Sequence, residues 1–345
     1  MSPRCEPFGS LPDGRDVERY VLQAGAVEVA VLTYGAVLQS VRTPDARGSG
    51  ADIALGYDDL DGYLRDTTYV GAVVGRFGNR IAGGRFLLDG VEHVLPRNHG
   101  TSCLHGGPAG FHTRLWSARE VPGGVELTLT SPDGDMGFPG TLTATVTYVL
   151  GDDGLTLTYG AVTDRPTVVN LTNHAYWNLA GGGTVEDHVV ELPAARFVAV
   201  DDRLIPTGIE PVEGTPMDFR SPRRIGDRLR DGTEQLQHAR GYDHAWLPDG
   251  RGPRSVARVG DPPSGRVLEV VSDQPGVQFY SGNFLDGSVL GRGGRAYRQG
   301  DGLCLETQHL RDSPNRPEFP STVLRPGEQY ATTTTFRFGT SDGAR

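Results

Sequence analysis

His174 stands in the run Asn170-Leu171-Thr172-Asn173-His174-Ala175-Tyr176-Trp177-Asn178-Leu179, where amides, one imidazole and two aromatic rings are crowded between apolar residues that read as a strand. The imidazole can give or take a proton near neutral pH. Amides and imidazoles suit hydroxyl groups and aromatic rings suit C–H faces, so a sugar is the ligand these residue types fit best. A second proton carrier lies in Gly302-Leu303-Cys304-Leu305-Glu306-Thr307-Gln308. In an alternating strand Glu306 points away from Leu305 and Thr307, into water or into a cavity. Gln308 on the same face favours the cavity.

Other polar groups stand in glycine-rich settings, where backbone can approach a ligand closely. Gly75-Arg76-Phe77-Gly78-Asn79-Arg80-Ile81 offers two arginines and an amide, and Leu104-His105-Gly106-Gly107-Pro108 offers an imidazole. Tyr242-Asp243-His244 adds a carboxylate. The first of these lacks the spacing of a dinucleotide fingerprint. Its arginines suit sugar hydroxyls, although pairing with carboxylates is the commoner fate of such residues. His105, His174 and His244 with Glu306 have the chemistry of metal ligands. None has a second histidine at the tight H-x-H or H-x-x-x-H interval, so no metal is expected. His93, His188 and His238 read as surface or turn residues. Tyr176, Trp177 and Phe279 suit either a sugar-facing wall or the core.

Composition removes several chemistries. All 33 basic side chains are arginine, and without a lysine neither an imine on a carbonyl sugar nor a phosphate-loop nucleotide site is available. The net charge of -10 gives no basic surface for nucleic acid. Cys5, Cys103 and Cys304 are odd in number and lack paired spacing, so reduced thiols in the cytoplasm are expected. The first residues do not read as a secretory signal, and no apolar run is long enough to span a bilayer.

These residues need a scaffold, and the pattern supplies strands. Val27–Val41 is rich in β-branched residues. Residues 125–130, 141–148 and 155–159 alternate apolar with threonine or another polar residue, with Pro132-Asp133-Gly134 and Gly151-Asp152-Asp153-Gly154 as turns between them. Residues 330–338 form a last strand. With few helical signals, and with 49 glycines and 24 prolines spread throughout, the expectation is an all-β fold. It is a single domain over residues 1–345, a large antiparallel β-sandwich with few short helices.

Taken in order, these segments resemble the aldose 1-epimerase, or galactose mutarotase, family. The resemblance runs through Gly75–Ile81, Leu104–Gly107 and Asn170–Tyr176, then Pro206-Thr207-Gly208, Gly214–Arg220 and Tyr242–His244. It continues through Pro275–Phe284, Leu305–Gln308, Asp312–Asn315, Phe319-Pro320 and Leu324–Gly327. It implies a β-sandwich with the sugar in an open cleft on a sheet face and no cofactor. Free aldohexose is the implied partner, bound by a monomer or homodimer with no nucleic acid and no membrane. Carried over position by position, His174 is the implied general acid and Glu306 the general base. Asn79, Arg80, His105, Tyr176, Asp243 and Gln278 are the implied sugar-binding residues. The chain departs from many relatives at Trp177, where phenylalanine is usual, and at Arg311, where proline is usual.

The implied reaction interconverts α and β anomers. Glu306 takes the anomeric hydroxyl proton while His174 protonates the ring oxygen, the open aldehyde rotates, and the roles reverse on closure. The scheme starts from ionised Glu306 and charged His174, which requires a carboxylate, Asp243 or Glu306, near the imidazole. Two other classes compete: a glycoside hydrolase using Asp243 and Glu306 as a carboxylate pair, and a sugar-binding module without catalysis.

Overall fold

The alternation of apolar and polar residues folds into antiparallel ladders in the computed structural model, which describes residues 2–341. Nine strands form the largest sheet, in the order Ser117–Val121, Gly124–Ser131, Leu142–Gly151, Gly154–Thr163, Tyr330–Thr340, Arg266–Ser272, Arg254–Gly260, Val189–Glu191 and Arg223–Arg224. Leu142–Gly151 alternates buried with half-buried residues, as a strand with one face on the core must. Five N-terminal strands, Arg4–Ser10, Asp16–Ala24, Val27–Leu32, Leu38–Pro44 and Gly50–Asp52, form a second sheet in chain order. The third has six strands, ordered Tyr176–Trp177, Leu303–Gln308, Gly276–Tyr280, Asp243–Trp246, Arg196–Val200 and Pro206–Pro211. Among the described residues the α-helices are Leu60–Arg65 and Glu234–Ala239. No helix there is long and apolar enough to cross a membrane.

The largest apolar cluster joins the nine-stranded and six-stranded sheets, bringing Leu127, Val146, Leu157 and Phe336 together with Trp246, Phe279, Leu303 and Leu305. The opposite face of the six-stranded sheet is also covered. Leu303–Gln308, Gly276–Tyr280 and Asp243–Trp246 are buried at every residue, so their polar face lies under other chain segments. With a period of two, core-facing Leu303, Leu305, Phe279 and Trp246 force Cys304, Glu306, Gln278 and Asp243 onto that roofed face.

Two expected elements are broken. Val27–Val41 divides into paired strands because the chain turns at Gly35 and Ala36, both with positive φ. A Cβ on Gly35 would lie 2.6 Å from the carbonyl oxygen of His112, so the turn also needs a glycine for space. The Asn170–Leu179 run is not one strand. Thr172–Asn173 pairs with Val73–Val74, and Tyr176–Trp177 pairs with Leu303 and Cys304 in another sheet. Asn173 separates them: its side chain donates to Gly71 O and accepts from Ala175 N–H, replacing ladder bonds with local ones.

Candidate active site

Strand register sets the floor of the site. Gln278 lies directly across from Glu306, Asp243 across from Tyr280 and Tyr176 across from Cys304. Asn79, Arg80 and His105 enter from the small ladder Arg80–Ile81 with Cys103–Leu104. Asn79 and His105 lock each other: Asn79 N–H donates to His105 Nδ1 at 3.1 Å, and His105 N–H donates to Asn79 O at 3.1 Å. Both hold positive φ, at 68° and 52°, a conformation retained here by this mutual bonding. With Nδ1 accepting, a neutral His105 carries its proton on Nε2.

His174 sits at the break between the two short strands. Its N–H donates to Ala72 O and its carbonyl accepts from Gly71 N–H. The ring stands with Nδ1 3.6 Å from Cys304 Sγ and Nε2 3.9 Å from Glu306 Oε1. Both side chains line a cavity of about 250 Å³ that also receives Asn79, Arg80, His105, Tyr176 and Asp243. Seven of the eight residues expected at the site thus line one cavity. The eighth, Gln278, lies beneath it and donates from Nε2 to Asp243 Oδ1.

Sequence reasoning missed part of the wall. Tyr69 lines the cavity with its ring against His105, His112 and His174 at centroid distances of 4.6, 4.7 and 5.9 Å. Tyr280 also lines it, 6.0 Å from the Tyr176 ring, and Phe284 is 41% exposed at the mouth. Tyr280 was findable, two residues beyond Gln278 on the same strand face. Tyr69 belongs to no periodic segment and left no such signal.

Other candidates have structural fates. Arg76 is fully buried and donates to the carbonyls of Ser131, Pro132, Pro139 and Gly140, so it serves the fold and neither a carboxylate nor a sugar. His244 turns into the core against Phe197 and Trp246. His188, expected at a surface or turn, is completely buried and accepts from Leu179 N–H through Nε2. Trp177 is core as well, with ring centroids 5.0 and 6.1 Å from Phe336 and Phe338. Phe279 joins that core rather than the sugar-facing wall.

Electrostatics in the site differ from the simple expectation. Burial lowers His174 to about 4, with Asp243 too weak an influence to offset it. Burial raises Glu306 to about 8, reinforced by Asp243 and opposed by Arg311 and Arg80. Near neutrality the pair therefore holds one mobile proton, and it rests on Glu306. Burial also pushes His105 well below the usual imidazole range. For Asp243 the burial penalty is outweighed by Arg311 and Arg80, which hold its carboxyl below its ordinary value.

The ligand atoms of His105, His174 and Glu306 all lie within 4.8 Å of one another. Atoms bonded at about 2.0–2.2 Å to one tetrahedral ion would sit about 3.3–3.6 Å apart, so His174 and Glu306, 3.9 Å apart, would have to draw inward to share a metal. Acid–base geometry needs no such contraction. The two oxygens on an anomeric carbon are close neighbours, and groups 3.9 Å apart can each reach one.

Comparison with known proteins places this arrangement. Residues 18–337 match the aldose 1-epimerase family. The chain is 45% identical to galactose mutarotase of Mus musculus, over 96% of this chain and 97% of that protein. It is 40% identical to aldose 1-epimerase of Escherichia coli K12, over 95% and 96%. Among solved structures, the GalM/aldose epimerase homologue from C. elegans superposes with a TM-score of 0.88 at 32% identity, covering 94% of this chain and all of that one. Galactose 1-epimerase from Lactobacillus acidophilus gives 0.86 at 28% identity, covering 98% and 99%. With a family match over residues 18–337 and relatives 40–45% identical over nearly the whole chain, the chain belongs to the aldose 1-epimerase family.

Proposed function

We propose that this protein interconverts the α and β anomers of free aldohexoses such as glucose and galactose, with Glu306 and His174 moving the protons. The observation that carries this reading is the buried pair itself, an imidazole and a carboxyl 3.9 Å apart in a cavity of sugar size. Glu306 accepts the proton of the anomeric hydroxyl and His174 delivers one to the ring oxygen. The ring opens, the aldehyde turns about C1–C2, and closure runs the transfers backwards. Glu306 protonated with His174 neutral is the state the cycle reaches once the ring is open. It has the same proton count as the starting state, so one transfer between the partners connects them. Asn79, Arg80, His105, Tyr176, Asp243 and Gln278 hold or orient the sugar.

The reading extends to one domain over residues 1–345, acting in the cytoplasm as a monomer or homodimer, with no cofactor. Polarimetry of fresh α-D-glucose and α-D-galactose tests the activity, since the protein should speed the approach to the equilibrium rotation. Release of nitrophenol from nitrophenyl glycosides separates it from the hydrolase reading, and the expected release is none. Asp243 suits hydrolysis poorly, since Arg311 and Gln278 both donate to its Oδ1. Binding without rate enhancement would instead favour a non-catalytic sugar-binding module.

A further inference from the structure

Arg311 is fully buried below the site, on the loop that follows the Glu306 strand. Its Nη2 donates to both the carbonyl and Oδ1 of Asp243 at 2.9 Å, and Nη1 donates to Leu204 O at 3.0 Å. Arg80, the other guanidinium beside Asp243, keeps its distance: Nη1 is 3.9 Å from Oδ2, and its buried Nε has no hydrogen-bond partner. A carboxylate already held by one arginine competes less for a second. Arg80 is therefore left facing the cavity with its donors uncommitted.

Charge points the same way. Glu306 is faced by Asp243 from two strands away in the same sheet, by Arg80 from the small ladder, and by the neutral groups His174, His105, Tyr176 and Cys304. With Arg80 alone against Asp243, ionising Glu306 would leave the buried site with a net negative charge. Arg311 supplies the second positive charge that balances both carboxylates.

Resting on the acid–base reading of Glu306, we propose that Arg311 is a positioning residue for this reaction: it ties down Asp243, leaves Arg80 free for the sugar, and provides the buried charge against which Glu306 ionises. Arg311 itself touches no sugar. Its loss has two separable consequences, a weaker hold on substrate through Arg80 and a Glu306 that gives up its proton only at higher pH.

The test uses the full chain with Arg311→Gln, which keeps a hydrogen bond to Asp243 without charge, and Arg311→Lys, which keeps the charge without the fork. Mutarotation is followed by polarimetry across pH, with folding checked by thermal melting. In Arg311→Gln the alkaline limb of kcat/KM should move up by about one pH unit or more, while in Arg311→Lys it should stay near the wild-type position. KM should rise in both, more than kcat falls. An unmoved limb in a folded Arg311→Gln protein, or equal shifts in both variants, would overturn the proposal. Glu306→Gln run alongside keeps the two readings apart. Wild-type activity in that variant defeats the acid–base assignment, whereas an inactive Glu306→Gln with an unmoved Arg311→Gln limb defeats only the role of Arg311.

Discussion

His174 Nε2 and Glu306 Oε1 face each other at 3.9 Å, both side chains almost wholly removed from water. Burial disfavours the charged form of each, so it pushes their proton affinities in opposite directions. The pair keeps one proton between a lower limit set by His174, about 4, and an upper limit set by Glu306, about 8.

The first prediction concerns pH and rate. Below about 4 His174 takes up a second proton and the pair loses its base, and above about 8 Glu306 releases the only proton and the pair loses its acid. The profile of kcat/KM should be bell-shaped with limbs near those values. Free side chains would instead put the limbs near ~4.3 and ~6.5, which polarimetric rates at pH 7.5 readily distinguish.

The second concerns stability. The Glu306 carboxyl has a folded-state value, about 8, above its ordinary 4.5, so across that window the folded protein holds a proton the unfolded chain has lost. Stability from this group is present at low pH and is lost as pH rises through about 8. Glu306→Gln lacks this titration. Its melting temperature should therefore gain on wild type steadily from pH 5 to about pH 9, and a constant gap would refute the raised carboxyl.

The Asn170–Leu179 run shows what the chain made legible and what it hid. Alternation placed Glu306 opposite Leu305, and the structure resolves its open choice toward a cavity because the polar face of that strand is roofed. The composition of the run suggested a polar-ligand segment, and strand propensity suggested a continuity that Asn173 breaks through its own side-chain bonds. Residues from separate ladders line one cavity. Tyr69, in the cavity wall, and Arg311, beneath it, left no signal because each lies in an irregular segment. The low affinity of His174 for protons was also hidden, since burial is a property of the assembled fold.

Trp177, adjacent to the cavity-lining Tyr176, points the other way into the core against Phe336 and Phe338. Trp177→Phe should cost about 1–3 kcal/mol of stability by denaturant unfolding, through an underfilled core. Relative kcat/KM for glucose and galactose should not change. A switch in sugar preference would place the ring in the site after all.

Chelation separates the acid–base account from metal assistance. The nearest nitrogen and oxygen of His174 and Glu306 stand 3.9 Å apart, wider than the roughly 3.3–3.6 Å between ligands of one tetrahedral ion, so dialysis against EDTA should leave mutarotation unchanged. Loss of rate, restored by a divalent ion, would give these residues a different role.

The most direct measurement is the mutarotation rate of fresh α-D-galactose by polarimetry in Glu306→Gln and His174→Asn, with circular dichroism confirming that each variant is folded. The account predicts that each substitution lowers kcat by about 10²–10⁴-fold. A folded variant of either kind that turns over at the wild-type rate would contradict the assignment of the proton-moving pair.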